Sequence, residues 1–142
     1  MKRELVKNWM TRNVVTIDPD TSLPEAHKLM TDNGIRRLPV IKKGRLIGIV
    51  TRGDVREAEP SEATTLSIWE INYLLSRLRI EKIMSRNPIT ISPEATIGQV
   101  ARIMMEKKIS GLPVVDDSNS VIGIITESDI FRMVVQEWDT NE

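Results

Sequence analysis

Residues 38–54, LPVIKKGRLIGIVTRGD, and residues 112–129, LPVVDDSNSVIGIITESD, are one pattern written twice. Each is an apolar run carrying a proline, a polar break, a second apolar run carrying a glycine, and then Thr-x-x-Asp. Working outward, the match extends upstream without a gap. MTRNVVTIDPDTSLPEAHKLMTDNGIRRLPVI, from Met10, lies over MSRNPITISPEATIGQVARIMMEKKISGLPVV, from Met84. The second copy carries one extra residue, between its two apolar runs, where a turn is expected. Identical pairs include Met10/Met84, Thr16/Thr90, Pro19/Pro93, Pro39/Pro113, Gly48/Gly123, Thr51/Thr126 and Asp54/Asp129. The chain is an internal duplication, and this decides its architecture.

Each copy reads β-α-β-β-α. Val14 to Ile17 is β-rich and predicts a short strand ending near a proline. Ser22-x-x-Glu25 and Thr96-x-x-Gln99 are capping boxes that open helices. Ile97, Val100, Ala101, Met104 and Met105 share one face of the second of these. Asn33-Gly34 signals a left-handed helix stop. Leu38 to Ile41 and Leu46 to Val50 form a hairpin around Lys42-Lys43-Gly44-Arg45, and Leu112 to Val115 with Val121 to Ile125 repeat it. These strands are almost continuously apolar, so sheets covered on both faces are expected. The fold class is α/β (α+β), with copies at 1–58 and 80–142 and a helical linker at 59–79.

The linker has no counterpart in the repeat. Pro60 ends the helix that follows Asp54. Ser67-x-x-Glu70 then caps a helix with Ile68, Ile71, Leu74, Leu75 and Leu78 on one side. That stripe packs either on its own copy or against a second subunit.

Composition excludes several functions. The 142 residues balance 20 Lys+Arg against 20 Asp+Glu, so no long-range field draws the chain to nucleic acid or an anionic membrane. Cysteine is absent and His27 is the single histidine, which removes thiolate metal sites, thiol nucleophiles and poly-His sites. His27, with no triad partner at a useful spacing, reads as a surface or half-buried helix residue. Met30, Met104 and Met105 read as core filler, and Trp9 and Trp138 as packing together or at a dimer face. No apolar run is long enough to span a bilayer or to resemble a signal peptide, so a cytoplasmic location is expected.

The chemistry-bearing motif is Thr51-x-x-Asp54 and its repeat Thr126-x-x-Asp129. Each stands where a strand meets a helix, so Thr is an N-cap and Asp sits at the positive helix end. The same placement offers free N–H groups to an anion. It also offers a carboxylate that accepts two hydrogen bonds from a ribose diol. Hydroxyl, carboxylate and apolar β-branched neighbours together describe an adenine-nucleotide site.

A repeat of this order, with Leu38-Pro39-Val40 and Gly48-Ile49-Val50-Thr51-Arg52-Gly53-Asp54 matched by Leu112-Pro113-Val114 and Gly123-Ile124-Ile125-Thr126-Glu127-Ser128-Asp129, resembles the CBS domain. Two in tandem look like a Bateman module, covering the chain from about Val6 to Val135. The resemblance implies two repeats packed as a pseudo-two-fold pair. The linker, residues 61–75, is similar to the connector of acetoin-utilisation (AcuB-type) CBS proteins. Longer members of that group carry an ACT domain after the pair, and the sequence reaches Glu142 without one.

Carried over from the family, one cleft is expected to use Ile49, Thr51, Gly53 and Asp54, completed by Ile89 and Ile109. The other is expected to use Ile124, Thr126, Ser128 and Asp129, with Val15 and Ile35. Asp54 and Asp129 would hold ribose hydroxyls, and Thr51 and Thr126 would lie between ribose and phosphate. The clefts differ in charge: Arg36-Arg37 precedes Leu38, whereas Ser110-Gly111 holds the matching place. Arg52 and Arg56 flank Asp54, while Glu127 stands near Asp129. An Arg fork suits phosphate oxygens, so the Asp54 cleft is expected to favour phosphorylated ligands.

The expected function is a non-catalytic regulatory module. Its effector is an adenosyl ligand of the AMP, ADP or ATP class, with S-adenosylmethionine and NAD as further candidates, and no required cofactor or metal. The alternative is an assembly protein with vestigial clefts, acting through its dimer and helix surfaces. Two copies of roughly 60 residues bury limited area alone, so a homodimer is expected, with output through a separate effector protein. Catalysis is disfavoured by the missing nucleophile and base, and nucleic-acid binding by zero net charge and few aromatics.

Overall fold

A computed structural model describes residues Glu4–Pro60 and Thr64–Asp139. In chain order the elements are α1 (Val6–Trp9), α2 (Leu23–Asn33), β1 (Arg37–Lys42), β2 (Arg45–Thr51), α3 (Arg52–Ala58) and α4 (Ile68–Arg77). A 3-10 turn (Ile80–Lys82), β3 (Ser85–Arg86), α5 (Ile97–Lys107), β4 (Gly111–Val115), β5 (Val121–Thr126) and α6 (Glu127–Trp138) follow.

Both hairpins form where the apolar runs predict them. β1 and β2 pair antiparallel, with Lys42 opposite Arg45 and the two-residue turn Lys43-Gly44 at φ 52° and 77°. Positive φ at both central residues is what a tight hairpin matching strand twist requires, and glycine meets it without strain. β4 and β5 repeat the pairing, from Gly111 opposite Thr126 to Val115 opposite Val121. Both pairs shift register at the same place, Val40/Ile41 and Val114/Val115.

The strand expected over Val14–Ile17 is reduced to one parallel bridge, Ile17 with Val40, and the second copy matches it with Ile91 and Val114. The prolines explain this. The Ile17 N–H donates to Pro39 O (3.1 Å) and the Ile41 N–H donates to Ile17 O (2.8 Å). Extending the ladder backward would need an N–H from Pro39, and extending it forward one from Pro19, and proline has none. Pro113 and Pro93 impose the same limit on the second copy.

The compact units do not follow the copies as they run in sequence. One unit is Val15–Pro88, and the other joins the segment up to Val14 to the segment from Ile89 onward. Each copy's opening segment is therefore built into the unit of the other copy. In one unit, Val6 N–H bonds Ala95 O (2.8 Å), Lys7 N–H bonds Pro93 O (3.0 Å), and Thr11 bridges Ile124. In the other, Ile80 N–H bonds Thr21 O (2.8 Å), Glu81 N–H bonds Pro19 O (3.0 Å), and β3 adds to β2 through Ser85 and Arg86. These bonds correspond residue for residue. At Gly48 and Gly123 the exchanged segments come into close approach. A Cβ on Gly48 would stand 2.6 Å from Met84 Sδ and 2.9 Å from Ser85 O. One on Gly123 would stand 2.5 Å from Met10 Sδ and 3.1 Å from Thr11 O.

Each unit has its own aliphatic core. Leu23, Leu38, Val40, Val50, Val55 and Ile80 fill one, and Val6, Val100, Leu112, Val114 and Ile125 fill the other. Met30 and Met104 are buried as expected, but Met105 is 80% exposed. It lies at the edge of the α5 stripe, one step of 100° beyond Met104, and faces solvent.

The linker helix α4 is capped as predicted: the Glu70 N–H donates to Ser67 Oγ (3.2 Å) and the Ser67 N–H donates to Glu70 Oε1 (3.3 Å). It belongs to the Val15–Pro88 unit, where Leu75 and Leu78 pack against the core. Ile71 is half-buried, and the remaining apolar side chains of the helix are left largely uncovered. Ile68, Tyr73 and Leu74 are exposed, and Trp69 is 81% exposed.

Candidate functional site

The two Thr-x-x-Asp motifs sit at identical places, the last residue of a strand and the first turn of the following helix. In both, the Asp carboxylate accepts from the backbone N–H of its Thr, and they then diverge.

In the Val15–Pro88 unit, the Thr51 N–H donates to Asp54 Oδ2 (2.8 Å) and the Asp54 N–H donates to Thr51 Oγ1 (3.2 Å). Asp54 is half-buried, and its Oδ1 accepts no hydrogen bond from a described residue. The reciprocal cap holds the carboxylate in one orientation with one oxygen open. Gly53 is exposed and Ile49 half-buried beside it. Val15 and Ile35 belong to this unit as well, both partly buried against its core. The Arg52 N–H donates to Arg36 O (2.8 Å), so the guanidinium-bearing residues Arg36 and Arg52 are backbone neighbours, with Arg37 next in β1.

In the other unit, the Thr126 N–H donates to Asp129 Oδ2 (2.9 Å) and the Thr126 hydroxyl to the same oxygen (3.3 Å). Oδ1 accepts from Arg132 Nη2 (3.2 Å) and from the Thr11 hydroxyl (3.5 Å). Asp129 is 6% exposed. The backbone bond equivalent to Arg52–Arg36 runs from the Glu127 N–H to Ser110 O (3.0 Å), so the matching neighbours bring one negative charge and no cation. Ile124 is half-buried and Ser128 exposed. Ile109 packs on this unit's core, and Ile89 is exposed.

The structure thus brings Ile49, Thr51, Gly53, Asp54, Arg36 and Arg37 into one unit, together with Val15 and Ile35. It brings Ile124, Thr126, Ser128, Asp129 and Ser110 into the other, together with Ile89 and Ile109. Sequence reasoning missed Thr11, Trp9 and Arg132. Arg132 had a signal, because it lies one turn along the helix from Asp129, the i,i+3 spacing of an ion pair. Thr11 had none, since its place beside Asp129 follows from the segment exchange.

Other candidates stay outside these motifs. His27 is a half-exposed helix residue whose Nδ1 is 3.6 Å from Glu59 Oε1. Trp9 and Trp138 do not share an environment: Trp9 is buried under Arg132, and Trp138 is exposed. A cavity of about 730 Å³ at the start of α5, bordered by Ile91, Gln99 and Arg102, includes none of the predicted site residues. No helix among the described residues is long and apolar enough to cross a membrane.

Comparison with known proteins follows the repeat. The CBS-domain family model matches residues 6–61 and 80–136. The CBS domain pair of protein MJ0100, solved in complex with 5′-methylthioadenosine and S-adenosyl-L-methionine, superposes with a TM-score of 0.79 at 32% identity, covering 96% of this chain and 99% of that one. CBSX2 in complex with AMP gives a TM-score of 0.80 at 26% identity, over 94% and 98%. An acetoin utilization protein (AcuB) from Vibrio cholerae gives 0.80 at 27% identity, over 97% and 95%. Among curated sequences, inosine-5′-monophosphate dehydrogenase of Korarchaeum cryptofilum is 38% identical over 88% of the chain, which spans 23% of that enzyme.

Proposed function

The chain belongs to the CBS-domain family as a tandem pair, and from that premise we propose that it is a non-catalytic regulatory module whose effector is an adenine nucleotide of the AMP, ADP or ATP class. The observation that carries this reading is Asp54. Its carboxylate is oriented by a reciprocal cap, accepts no hydrogen bond at Oδ1 from a described residue, and lies in the motif whose backbone neighbours are Arg36 and Arg52. A fixed carboxylate with a free oxygen suits the two cis hydroxyls of ribose, and guanidinium groups suit phosphate. Ile49, Thr51 and Gly53 complete the set in this unit. Thr126, Asp129, Ile124 and Ser128 are the corresponding set in the other. Similarity to pairs solved with AMP, or with S-adenosylmethionine and methylthioadenosine, supports the adenosyl class.

Isothermal titration with AMP and ATP tests the reading. Asp54→Ala is expected to weaken AMP at least tenfold and Asp129→Ala much less. Equal losses from the two substitutions refute the preference for the Asp54 motif. In a thermal-shift screen, a ligand at one hundred times its Kd adds about 2.7 kcal/mol to the folded state. No shift with AMP, ADP, ATP, NAD or S-adenosylmethionine refutes nucleotide binding altogether.

That outcome would favour the assembly reading, which has its own support. Phe131, Val135 and Trp138 lie at i, i+4 and i+7 of α6, all exposed, and α4 exposes Ile68, Trp69, Tyr73 and Leu74. Stripes of this kind mark interaction surfaces, and a second copy of the chain is the proposed occupant. Light scattering at the mass of a single chain would refute the homodimer.

A further inference from the structure

A carboxylate offers about four acceptor positions, and Asp129 has four donors from its own chain. The Thr126 N–H and hydroxyl reach Oδ2. The Thr11 hydroxyl and Arg132 Nη2 reach Oδ1. Arg132 is itself held in place. The same Nη2 donates to Trp9 O (2.9 Å), and its guanidinium carbon stands 5.3 Å from the centroid of the Trp9 ring. Trp9 in turn is buried, and its indole N–H donates to Glu4 Oε2 (2.9 Å). Among the described residues, nothing like this surrounds Asp54. The residue matching Arg132 is Glu57, the one matching Thr11 is Ser85, and the one matching Trp9 is Ile83. The Val15–Pro88 unit therefore has, at these positions, neither the cation nor the aromatic seat that fixes it.

A vicinal diol donates two hydrogen bonds to the carboxylate that holds it. At Asp54, Oδ1 accepts from no described residue and can receive them. At Asp129 a diol must displace donors already in place, one of them a guanidinium. Resting on the nucleotide reading above, we propose that Arg132 is a specificity-determining residue that closes Asp129 to neutral vicinal-diol ligands, so that the Asp54 motif alone takes such a ligand in the unmodified chain. Arg132 is about half exposed, so the closure is reversible by substitution without opening the core. A charge-assisted bond of this exposure corresponds to about a tenfold change in affinity.

Adenosine is the probe, because it carries the diol and no phosphate to compete for Arg132. Isothermal titration of the full chain is expected to show one adenosine per chain, lost in Asp54→Ala. Arg132→Ala and Arg132→Gln are expected to add a second site, at least tenfold tighter than anything Asp129 supports in the unmodified chain. That site should disappear again in Arg132→Ala/Asp129→Asn. Arg132→Gln removes the charge while keeping a polar, helix-compatible side chain, and it decides the matter if the alanine variant does not fold. One Asp54-dependent site in every variant overturns the closure and leaves the nucleotide reading standing. An Asp129-dependent adenosine site in the unmodified chain also overturns the closure. Absence of adenosine binding from all of them, the Arg132 variants included, overturns both.

Discussion

Asp54 and Asp129 hold the same position in two copies of one motif, cap the same kind of helix, and sit beside the same kind of hairpin. One carboxylate has an oxygen that accepts from no described residue, and the other is surrounded by four donors. The frame that presents them is nearly identical down to single backbone bonds: Val6 N–H to Ala95 O is repeated by Ile80 N–H to Thr21 O, each at 2.8 Å. Duplication therefore conserved what a motif needs in order to be presented. Substitution at two positions, Trp9 against Ile83 and Arg132 against Glu57, changed what the presented group is free to do. Backbone geometry depends on prolines, glycines and apolar fill, which both copies share. Availability of a carboxylate depends on whichever side chains reach it, and those differ.

The largest effects should fall on the shared frame and fall equally. Leu38 and Leu112 are equivalent and fully buried. Leu38→Ala and Leu112→Ala are each expected to lose about 2–5 kcal/mol of stability in urea titrations. A loss confined to one of them would show that the two cores are not equivalent. Next come the glycines under the exchanged segments. Gly48→Ala and Gly123→Ala place a methyl group against a methionine and a backbone carbonyl, with an expected cost of about 1–3 kcal/mol in the same titration. If either is neutral, the close approach of Met84 or Met10 does not constrain that position.

The aspartates should then separate the copies. Asp54→Ala removes a cap and is expected to cost about 1 kcal/mol. Asp129→Ala removes a cap and also strands the donors that converge on a buried carboxylate, so about 2 kcal/mol is expected. Equal melting temperatures for the two variants would break the comparison on which the closure by Arg132 depends. The smallest effect on folding should come from the linker. Trp69→Ser, on an exposed position of α4, is expected to change stability by less than about 0.5 kcal/mol. If α4 meets a second copy, the same substitution should raise the dissociation constant measured by sedimentation. Unchanged self-association would assign the interface elsewhere.

Much of this was legible in residues alone. The repeat, both hairpins, the turn at Lys43-Gly44, the caps at Ser22, Ser67 and Thr96 and the stop at Gly34 are local patterns, each with its own physical signal. Continuous apolar runs and period-3.6 patterning pointed to the cores, but the helical stripe overran at Met105, because a stripe read from spacing has no sharp edge. The strand at Val14–Ile17 was overestimated for a different reason. Its length is set by prolines on the partner strand, and propensity within the segment does not register them.

The sequence by itself determined the duplication, the elements of each copy and the two Thr-x-x-Asp motifs, because these rest on contacts between near neighbours in the chain. Only the tertiary structure decided which copy each opening segment joins, and hence that Thr11 and Trp9 meet Arg132 beside Asp129. Those residues are more than a hundred positions apart. No local propensity encodes their meeting, which follows from burying Val6 and Ile80 in the cores where backbone partners await them.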